Sequence, residues 1–316
     1  MSIVTPVDVF GMTTVKIIPK AVNIRYKSNG LWWRLHKKGE RWDGGTQIEA
    51  PLFDGAVLAV QWYEGRETWV LPNSRMNVSA VYQLREAVAQ VSVSGRDEAM
   101  NTGPQAVLSF IKTKLAHVKT GLSDMFGTAV QGSNASGKEF DGAGIAFSAS
   151  STLGSVAPAD VPDWIAQIRN ATSNTMTDLE LQIVLGRCTQ GDTRPTLIVS
   201  NQSGQDKFST FGTNAQVIVD QEMASIGIRH LNFRGIPWLV DSHCPGSGAG
   251  STDNVVQFWN ENYVDLWESP SYNYKQVNYA PLPNENVKRI GILEAGNLVW
   301  NGRPYFGSLN QINTAL

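Results

Sequence analysis

A long pair of extended runs, from Gly44 to Gly95, constrains the fold of this chain more than any other feature. The first run extends from Thr46 to Trp62 and the second from Arg75 to Ser94, with a polar, turn-rich centre between them. Apolar and polar residues alternate along the second run, which is the two-residue period of a half-buried strand. The alternation changes phase near Glu86, which predicts a bulge or bend where the strand changes face.

The predicted hairpin is longer than typical strands of about 3–10 residues, and an isolated two-stranded arm is marginal in water. Its apolar face therefore needs a further surface. That surface is either the rest of a large antiparallel sheet or a separate body on which the arm lies, and the periodicity leaves both interpretations open.

The strongest helix signal follows this hairpin. The stretch Thr102–Gln105 has the pattern of a capping box with a proline in the first turn. Apolar residues then recur at the 3.6-residue period as far as Ala129, and Gly132 is a natural stop. We expect a helix over about residues 103–131, roughly 40 Å long. Gly121 and Gly127 weaken it by up to about 1 kcal/mol each relative to Ala.

The second half of the chain predicts an α+β unit around a small mixed sheet. A short helix is expected from Asp160 and another over about residues 177–189. The chain then ends in a hairpin whose strands, 286–293 and 297–300, flank a turn. Between the helices and this hairpin we expect short strands at Thr196–Ser200, Gln216–Val219, Gly235–Asp241, Asn254–Trp259 and Tyr263–Trp267.

Composition excludes several classes of protein. Charged residues make up 17% of the chain, below the usual quarter, which indicates that much of the surface meets protein. A net charge of −2 argues against a dedicated nucleic-acid binder. Two cysteines, Cys188 and Cys244, are too few for a disulfide framework and fit a reducing compartment. No apolar run suggests a signal peptide or a membrane span.

A small basic cluster occupies the stretch Arg34–Arg41, with His36, Lys37 and Lys38 inside it. The simpler interpretation is the solvated face of a short element. The alternative is contact with phosphate, as in a nucleic-acid-binding module, or with an acidic neighbour.

The sharpest chemical motif is Gly132–Lys138, which matches the G-x-x-x-x-G-K spacing of a phosphate-binding loop. A nucleotide-binding protein using this loop is the alternative function. Two features weigh against it: Glu139 stands where a Ser or Thr would hold Mg²⁺, and the motif follows a predicted helix instead of a strand. The neighbours His243 and Cys244 would face opposite ways in an extended segment. The four histidines show no metal-ligand spacing, so we expect no metal, no cofactor and no catalytic residues.

The order of elements, together with several local stretches, resembles one family. A short arm, a long hairpin and a capped long helix precede an α+β unit, and a terminal strand pair closes the chain. The stretches that carry the resemblance are Gly44–Leu52, Trp62–Thr68, Val91–Glu98, Gly186–Cys188, Arg194–Val199 and Asn232–Trp238. Over roughly residues 44–310 the chain is similar to the major capsid proteins of tailed bacteriophages, which have the Hong Kong 97-type fold.

The resemblance implies an α+β fold with named parts. These are an N-terminal arm (1–44), an extension loop and the approach to the peripheral domain (45–94), a spine helix with the peripheral domain (95–145), an axial domain (146–275), and the return strands of the peripheral domain with the C-terminus (276–316). It further implies a structural subunit, not an enzyme, that self-assembles as hexamers and pentamers into an icosahedral phage head around double-stranded DNA.

The resemblance also implies binding partners and a localisation. The partners are other copies of the chain, a portal, scaffolding or decoration proteins, and packaged DNA held by weak contact, with no membrane. The subunit is expected in the virion, after assembly in the host cytoplasm. Because only about 45 residues precede the hairpin, we expect a separate scaffold protein or none.

In some relatives a covalent bond from an extension-loop lysine to an asparagine of a neighbouring subunit welds the shell. This chain has no lysine between Lys38 and Lys112. We therefore expect no such weld. Aromatic residues and arginine are enriched in interface cores, so the contact candidates lie near the loop tip, although packing within their own hairpin is the alternative. They are Trp62, Tyr63, Glu64, Arg66 and Trp69. Lys112 and Lys119, seven residues apart on the polar side of the helix, are candidates to face DNA.

Overall fold

The structure of the chain is a computed structural model that describes residues 29–53, 62–68, 77–100, 110–211, 231–247, 252–280 and 285–313. The α-helices are α1 (Gly30–Lys38), α2 (Gly95–Met100), α3 (Phe110–Gln131), α4 (Ala143–Ala146), α5 (Asp178–Cys188) and α6 (Gln202–Ser209). The strands are β1 (Glu40–Arg41), β2 (Gln47–Phe53), β3 (Asn77–Gln83), β4 (Arg85–Ser94), β5 (Gln167–Asn170), β6 (Leu197–Ser200), β7 (Leu231–Phe233), β8 (Ile236–Val240), β9 (Asn254–Trp259), β10 (Val264–Glu268), β11 (Lys275–Tyr279), β12 (Val287–Trp300) and β13 (Gly307–Ile312).

The chain divides into two compact units. The smaller unit contains the described parts of Val88–Leu122 and Tyr274–Leu293. The larger unit contains the described parts of Lys27–Ala87, Ser123–Asn273 and Glu294–Leu316. The predicted boundaries of peripheral and axial domains stay a prediction.

In the smaller unit, β11 pairs antiparallel with the first half of β12, from Lys275 opposite Leu293 to Tyr279 opposite Arg289. Strand β4 pairs with β12 as well. Every second residue of β4 turns inward, and Val91 and Val93 are buried. This is the burial that the alternating sequence predicts for a strand with one covered face.

The larger unit is built on a six-stranded mixed sheet in the order β5-β13-β9-β6-β8-β7. Strands β6 and β8 pair in parallel, and α5 and α6 both pack on this sheet. The core includes the fully buried rings of Phe208, Trp238 and Phe258. The Trp238 indole donates to Ser200 Oγ at 2.7 Å, so its one polar atom is satisfied. The predicted α+β class is confirmed.

A buried arginine organises the loops of the larger unit. Arg303 is fully buried, and its guanidinium donates to five backbone carbonyls. These belong to Ile145, Ala146, Ser148, Ser151 and Trp164. Burial lowers the pKa of Arg303 to about 10. One side chain thereby satisfies five carbonyls that irregular backbone would otherwise leave without donors.

Several local predictions hold. The phase change in the second extended run occurs at Leu84, the residue that separates β3 from β4. Helix α3 ends at Gln131, immediately before Gly132. Helix α5 begins after Thr177, whose hydroxyl accepts from the Glu180 amide. The capping box at 102–105 and the strand expected at 216–219 lie outside the described residues.

The predicted C-terminal hairpin across 294–296 is wrong, because β12 runs unbroken through that stretch. Gly296 does not mark a turn. A Cβ built on Gly296 would approach the carbonyl oxygen of Trp267 in β10 to 2.6 Å. A glycine inside a strand often marks such a close approach of another backbone.

The short helix expected from Asp160 is also wrong. The chain there makes turns that bury Val161 and Trp164, and the Trp164 indole donates to Leu153 O. Strand β5 follows and pairs parallel with β13. Pairing with a strand 140 residues away, Gly307 opposite Gln167, outweighs the local helix signal.

Candidate functional site: the two-stranded arm and its tip

Strands β2 and β3 form the described base of the arm. They pair antiparallel without a break, from Gln47 opposite Gln83 to Phe53 opposite Asn77. The side chains of Ala50, Leu52, Ala80 and Tyr82 all point to one buried face. Because facing pairs on one side of a sheet stabilise it together, this register is strongly specified.

The base of the arm is anchored within its own unit. The Tyr82 hydroxyl is completely buried and donates to Trp300 O at 2.9 Å, while the Val81 amide donates to Gly154 O at 2.7 Å. Burial raises the pKa of Tyr82 well above its ordinary value. Gly154 has a φ of +60°, and a Cβ there would lie 2.7 Å from the Ala80 methyl. The apolar face at the base thus finds its burial on the same chain.

The tip of the arm, residues 62–68, is exposed throughout. Trp62 is 99% exposed, and Tyr63 is 50% exposed with its hydroxyl donating to Gly65 O at 2.7 Å. The Arg66 amide donates to Glu64 O, which closes a tight turn at Gly65, where φ is +39°. Four of the five contact candidates therefore lie together on one surface feature. The fifth, Trp69, lies outside the described residues.

The basic cluster after residue 33 meets acidic neighbours within the chain. Arg34 forms a two-point ion pair with Glu261, with Nη2 2.9 Å from Oε2. His36 Nδ1 lies 2.6 Å from Glu268 Oε1, and this hydrogen bond raises the pKa of His36 against the lowering effect of burial. These internal carboxylates compensate much of the positive charge, so the acidic-neighbour interpretation applies to the cluster.

The loop 132–138 does not present its amides to a ligand. The amides of Gly137 and Glu139 donate to the backbone and side-chain oxygens of Asn134, at 3.0 Å each. The Lys138 amide donates to Ser136 Oγ at 3.2 Å. A phosphate-binding loop needs these donors for phosphate oxygens, whereas here they hold the loop's own shape. The loop also follows helix α3 and not a strand.

The two lysines proposed to face DNA both lie on α3. The side chain of Lys112 lies outside the described residues. The Lys119 ammonium sits over the ring of Tyr274, 6.0 Å from its centroid.

The histidine and cysteine at 243–244 belong to the interior. His243 Nδ1 and Nε2 lie 3.1 Å and 2.9 Å from the carboxylates of Asp241 and Asp124. Cys244 is buried, and burial raises the pKa of its thiol well above the ordinary value. Burial likewise raises the pKa of the Cys188 thiol to about 12. Neither thiol has the accessible, thiolate-favouring surroundings of a nucleophile.

Within the residues that the structure describes, no three His, Cys, Asp or Glu side chains come together in a way that could hold a metal ion. None of the helices in the described ranges combines the length and the apolar character that a membrane crossing needs.

Comparison with solved structures identifies the fold. The capsid of cyanophage A-1(L) matches with a TM-score of 0.68 and 14% identity, over 98% of this chain and 99% of that one. An encapsulin complex from Synechococcus elongatus matches with a TM-score of 0.66 and 11% identity, over 98% and 96% of the two chains. The capsid of a native GTA particle matches with a TM-score of 0.64 and 10% identity, over 98% and 100%.

The chain has the Hong Kong 97-type fold. No family model matches its sequence, and no curated protein sequence matches it at a significant level. The likeness therefore lies in the three-dimensional structure and extends over nearly the whole chain. The Hong Kong 97-type fold that the resemblance implied is confirmed.

The sequence did not locate the contacts that hold the arm base in this Hong Kong 97-type fold. Tyr82 and Trp300 are 218 residues apart. The alternating pattern showed that Tyr82 lies on the apolar face, but no local signal connects it to the carbonyl that it meets. Contacts of this kind become visible only when the sheet topology is known.

Proposed function

We propose that this chain is the major subunit of an icosahedral phage head, assembling as hexamers and pentamers around double-stranded DNA. The observation that carries the proposal is the match to capsid subunits over 98% of this chain and 99% of the cyanophage one. A match over nearly the whole of both chains means that the likeness is not confined to one common core.

The exposed tip of the arm supports the same proposal. A tryptophan that is 99% exposed beside a half-exposed tyrosine leaves aromatic surface whose burial against a partner would be favourable. Aromatic residues and arginine are the types enriched where one protein meets another. Trp62, Tyr63, Glu64 and Arg66 are therefore proposed to contact a neighbouring copy, and Trp69 is proposed with them from its sequence position.

Assembly is the experiment that tests the proposal. The purified chain should form capsomers, tubes or closed shells in negative-stain micrographs, alone or with a co-expressed scaffold. A species that stays monomeric by sedimentation under all assembly conditions would contradict it. Portal, scaffolding and decoration partners, and assembly in the host cytoplasm, belong to the same proposal and would be checked by recovering those proteins with the particles.

A second candidate is a protein compartment without a genome, and the match to an encapsulin complex favours it. The contents of the particles distinguish the two functions. A phage head filled in an infected host holds nuclease-protected double-stranded DNA, whereas a compartment holds protein. Because Lys112 is a DNA-facing candidate, its substitution should affect the phage-head function and leave the compartment function unchanged.

The proposal gives the chain no catalytic activity and sets aside nucleotide binding at Gly132–Lys138. The internal hydrogen bonds of that loop support this choice. We expect equal, background ATP turnover for the wild type and for Lys138→Ala. Turnover that the substitution abolishes would establish the alternative instead.

A further inference from the structure

A shallow apolar groove opens on the smaller unit, between α3 and the strands β11 and β12. It has a volume of about 260 Å³ and opens to solvent. Its lining comes from Leu115, Ala116, Lys119, Tyr274, Gln276 and Ile292.

The groove has the size of a single large side chain. A cavity of about 150 Å³ accepts one benzene ring, and binding sites for small organic ligands span about 300–1,000 Å³. A volume of about 260 Å³ lies between these values. It matches a two-ring system such as an indole better than it matches a cofactor.

One side of the groove combines an aromatic ring with a cation. The Tyr274 ring and the Lys119 ammonium, 6.0 Å apart, both belong to the lining. A cation at the edge of an aromatic site attracts the face of a further ring, and tryptophan is the strongest partner for such a contact.

The chain itself carries the matching group. Trp62 is 99% exposed at the arm tip. By contrast, Trp33 is 37% exposed and already has the Lys37 ammonium 5.4 Å from its ring. In the described tip, residues 62–68, Glu64 and Glu67 outweigh Arg66 and leave a net charge of −1, which complements Lys119.

We propose that Trp62 of one copy inserts into this groove of a second copy, with Glu64 of the first copy beside Lys119 of the second. The inference deepens the proposed function and rests on it, because the occupant is another subunit of the same shell. It gives Lys119 a role between subunits that competes with the DNA-facing role.

Zero-length cross-linking of wild-type particles tests the charge contact directly. A carbodiimide joins a carboxylate to an amine only when they touch, so no substitution is needed. Particles are assembled from equal amounts of normal and ¹⁵N-labelled chain, treated, and digested for mass spectrometry. We expect a peptide pair joining Glu64 to Lys119 that contains one light and one heavy partner, and we expect Lys119→Arg, which keeps the charge, to remove it.

Substitutions test the anchor. Trp62→Ala removes a side chain that is almost wholly exposed, so the subunit should fold normally. It should raise the concentration needed for assembly at least about tenfold, the effect of about 1.4 kcal/mol per contact. Trp62→Phe should retain part of the effect. Ala116→Trp, which fills the groove, should mimic Trp62→Ala, whereas Leu179→Ala, at a side chain that is 64% exposed on α5, should change nothing.

The outcomes separate this inference from the proposed function. Particles that form without a Glu64–Lys119 cross-link, and that assemble equally well with Trp62→Ala, would overturn the inference and leave the shell function standing. A failure of the wild type to form particles would overturn both. A cross-link confined to partners of one isotope would place the contact within one chain, which also overturns the inference.

Discussion

His243 packs directly against Gly127 in the larger unit, and a Cβ built on that glycine would lie 3.0 Å from the Cε1 atom of the imidazole. The same Cβ would approach Asn29 Oδ1 to 2.6 Å. Gly127 therefore makes room on α3 for two side chains from other parts of the fold. One of them, His243, is 2% exposed and bridges Asp124 on the helix and Asp241 at the end of β8.

The two glycines of α3 should respond to alanine in opposite directions. Gly127→Ala should destabilise the fold by about 1–3 kcal/mol, because overpacking outweighs the gain in helix propensity. Gly121→Ala is the matched control, since beyond its own helix backbone and chain neighbours no atom of the described residues lies within 4 Å of the place that a Cβ would occupy, and the residue is exposed. It should stabilise by up to about 1 kcal/mol. Urea unfolding of both variants checks the pair, and equal shifts would contradict this account.

Stability should depend on pH through His243. Its hydrogen bond to Asp241, followed by the charges of Asp241 and the contact with Asp124, raises its pKa from the ordinary value of 6.5, and burial opposes the rise. A raised pKa means that the folded state holds the proton more tightly than the unfolded state. The stabilisation is complete below pH 6.5 and is lost as the pH rises through the higher folded value.

Thermal unfolding of the wild type and His243→Gln between pH 5.5 and pH 9 measures this effect, with a difference of about 1.5–3 kcal/mol at the acidic end. The difference should shrink toward high pH. His36→Gln is the control, because His36 is 36% exposed and its bond to Glu268 is more open to solvent. It should show a smaller change of the same sign. A difference for His243→Gln that grows with pH would contradict the assignment.

Arg303 should not tolerate replacement by lysine. A lysine keeps the charge but has three donors on one atom, so it cannot reach five carbonyls spread over 145–164. Each buried carbonyl left without a donor costs about 1–3 kcal/mol. Arg303→Lys should therefore lower the free energy of unfolding by at least about 3 kcal/mol, measured by urea unfolding. Arg187→Lys, on an exposed position, should be neutral.

Particles of this chain should carry no covalent weld from the arm. An isopeptide bond of that kind needs a lysine amine, and none occurs between Lys38 and Lys112. Boiled particles should therefore run as monomers on a denaturing gel. A ladder of covalent multimers would show that another amine takes this role.

Local signals in the sequence predicted the elements whose ends are set by their own residues. The phase change at Leu84, the end of α3 before Gly132 and the cap at Thr177 all depend on neighbours within about four residues. The order of the elements, together with several local stretches, carried the resemblance that implied the fold. It also placed the tip of the arm on the surface as the candidate contact site.

The sequence could not predict the features that depend on distant partners. Gly296 looked like a turn because nothing local shows that the Trp267 carbonyl lies against it. The ion pair between Arg34 and Glu261 joins residues 227 apart. The groove that receives the proposed anchor combines α3 with Tyr274 and Ile292. Such sites exist only after the strands have paired.

The burial of both native thiols has a practical result. Cys188 and Cys244 are the only cysteines in the chain, and both are buried with raised pKa values. A cysteine introduced at Glu67 would then be the one thiol that reacts quickly with a maleimide dye. If the tip contacts a neighbouring copy as proposed, a fluorophore at that position would report its arrival in real time, without prior removal of the natural sulfhydryls.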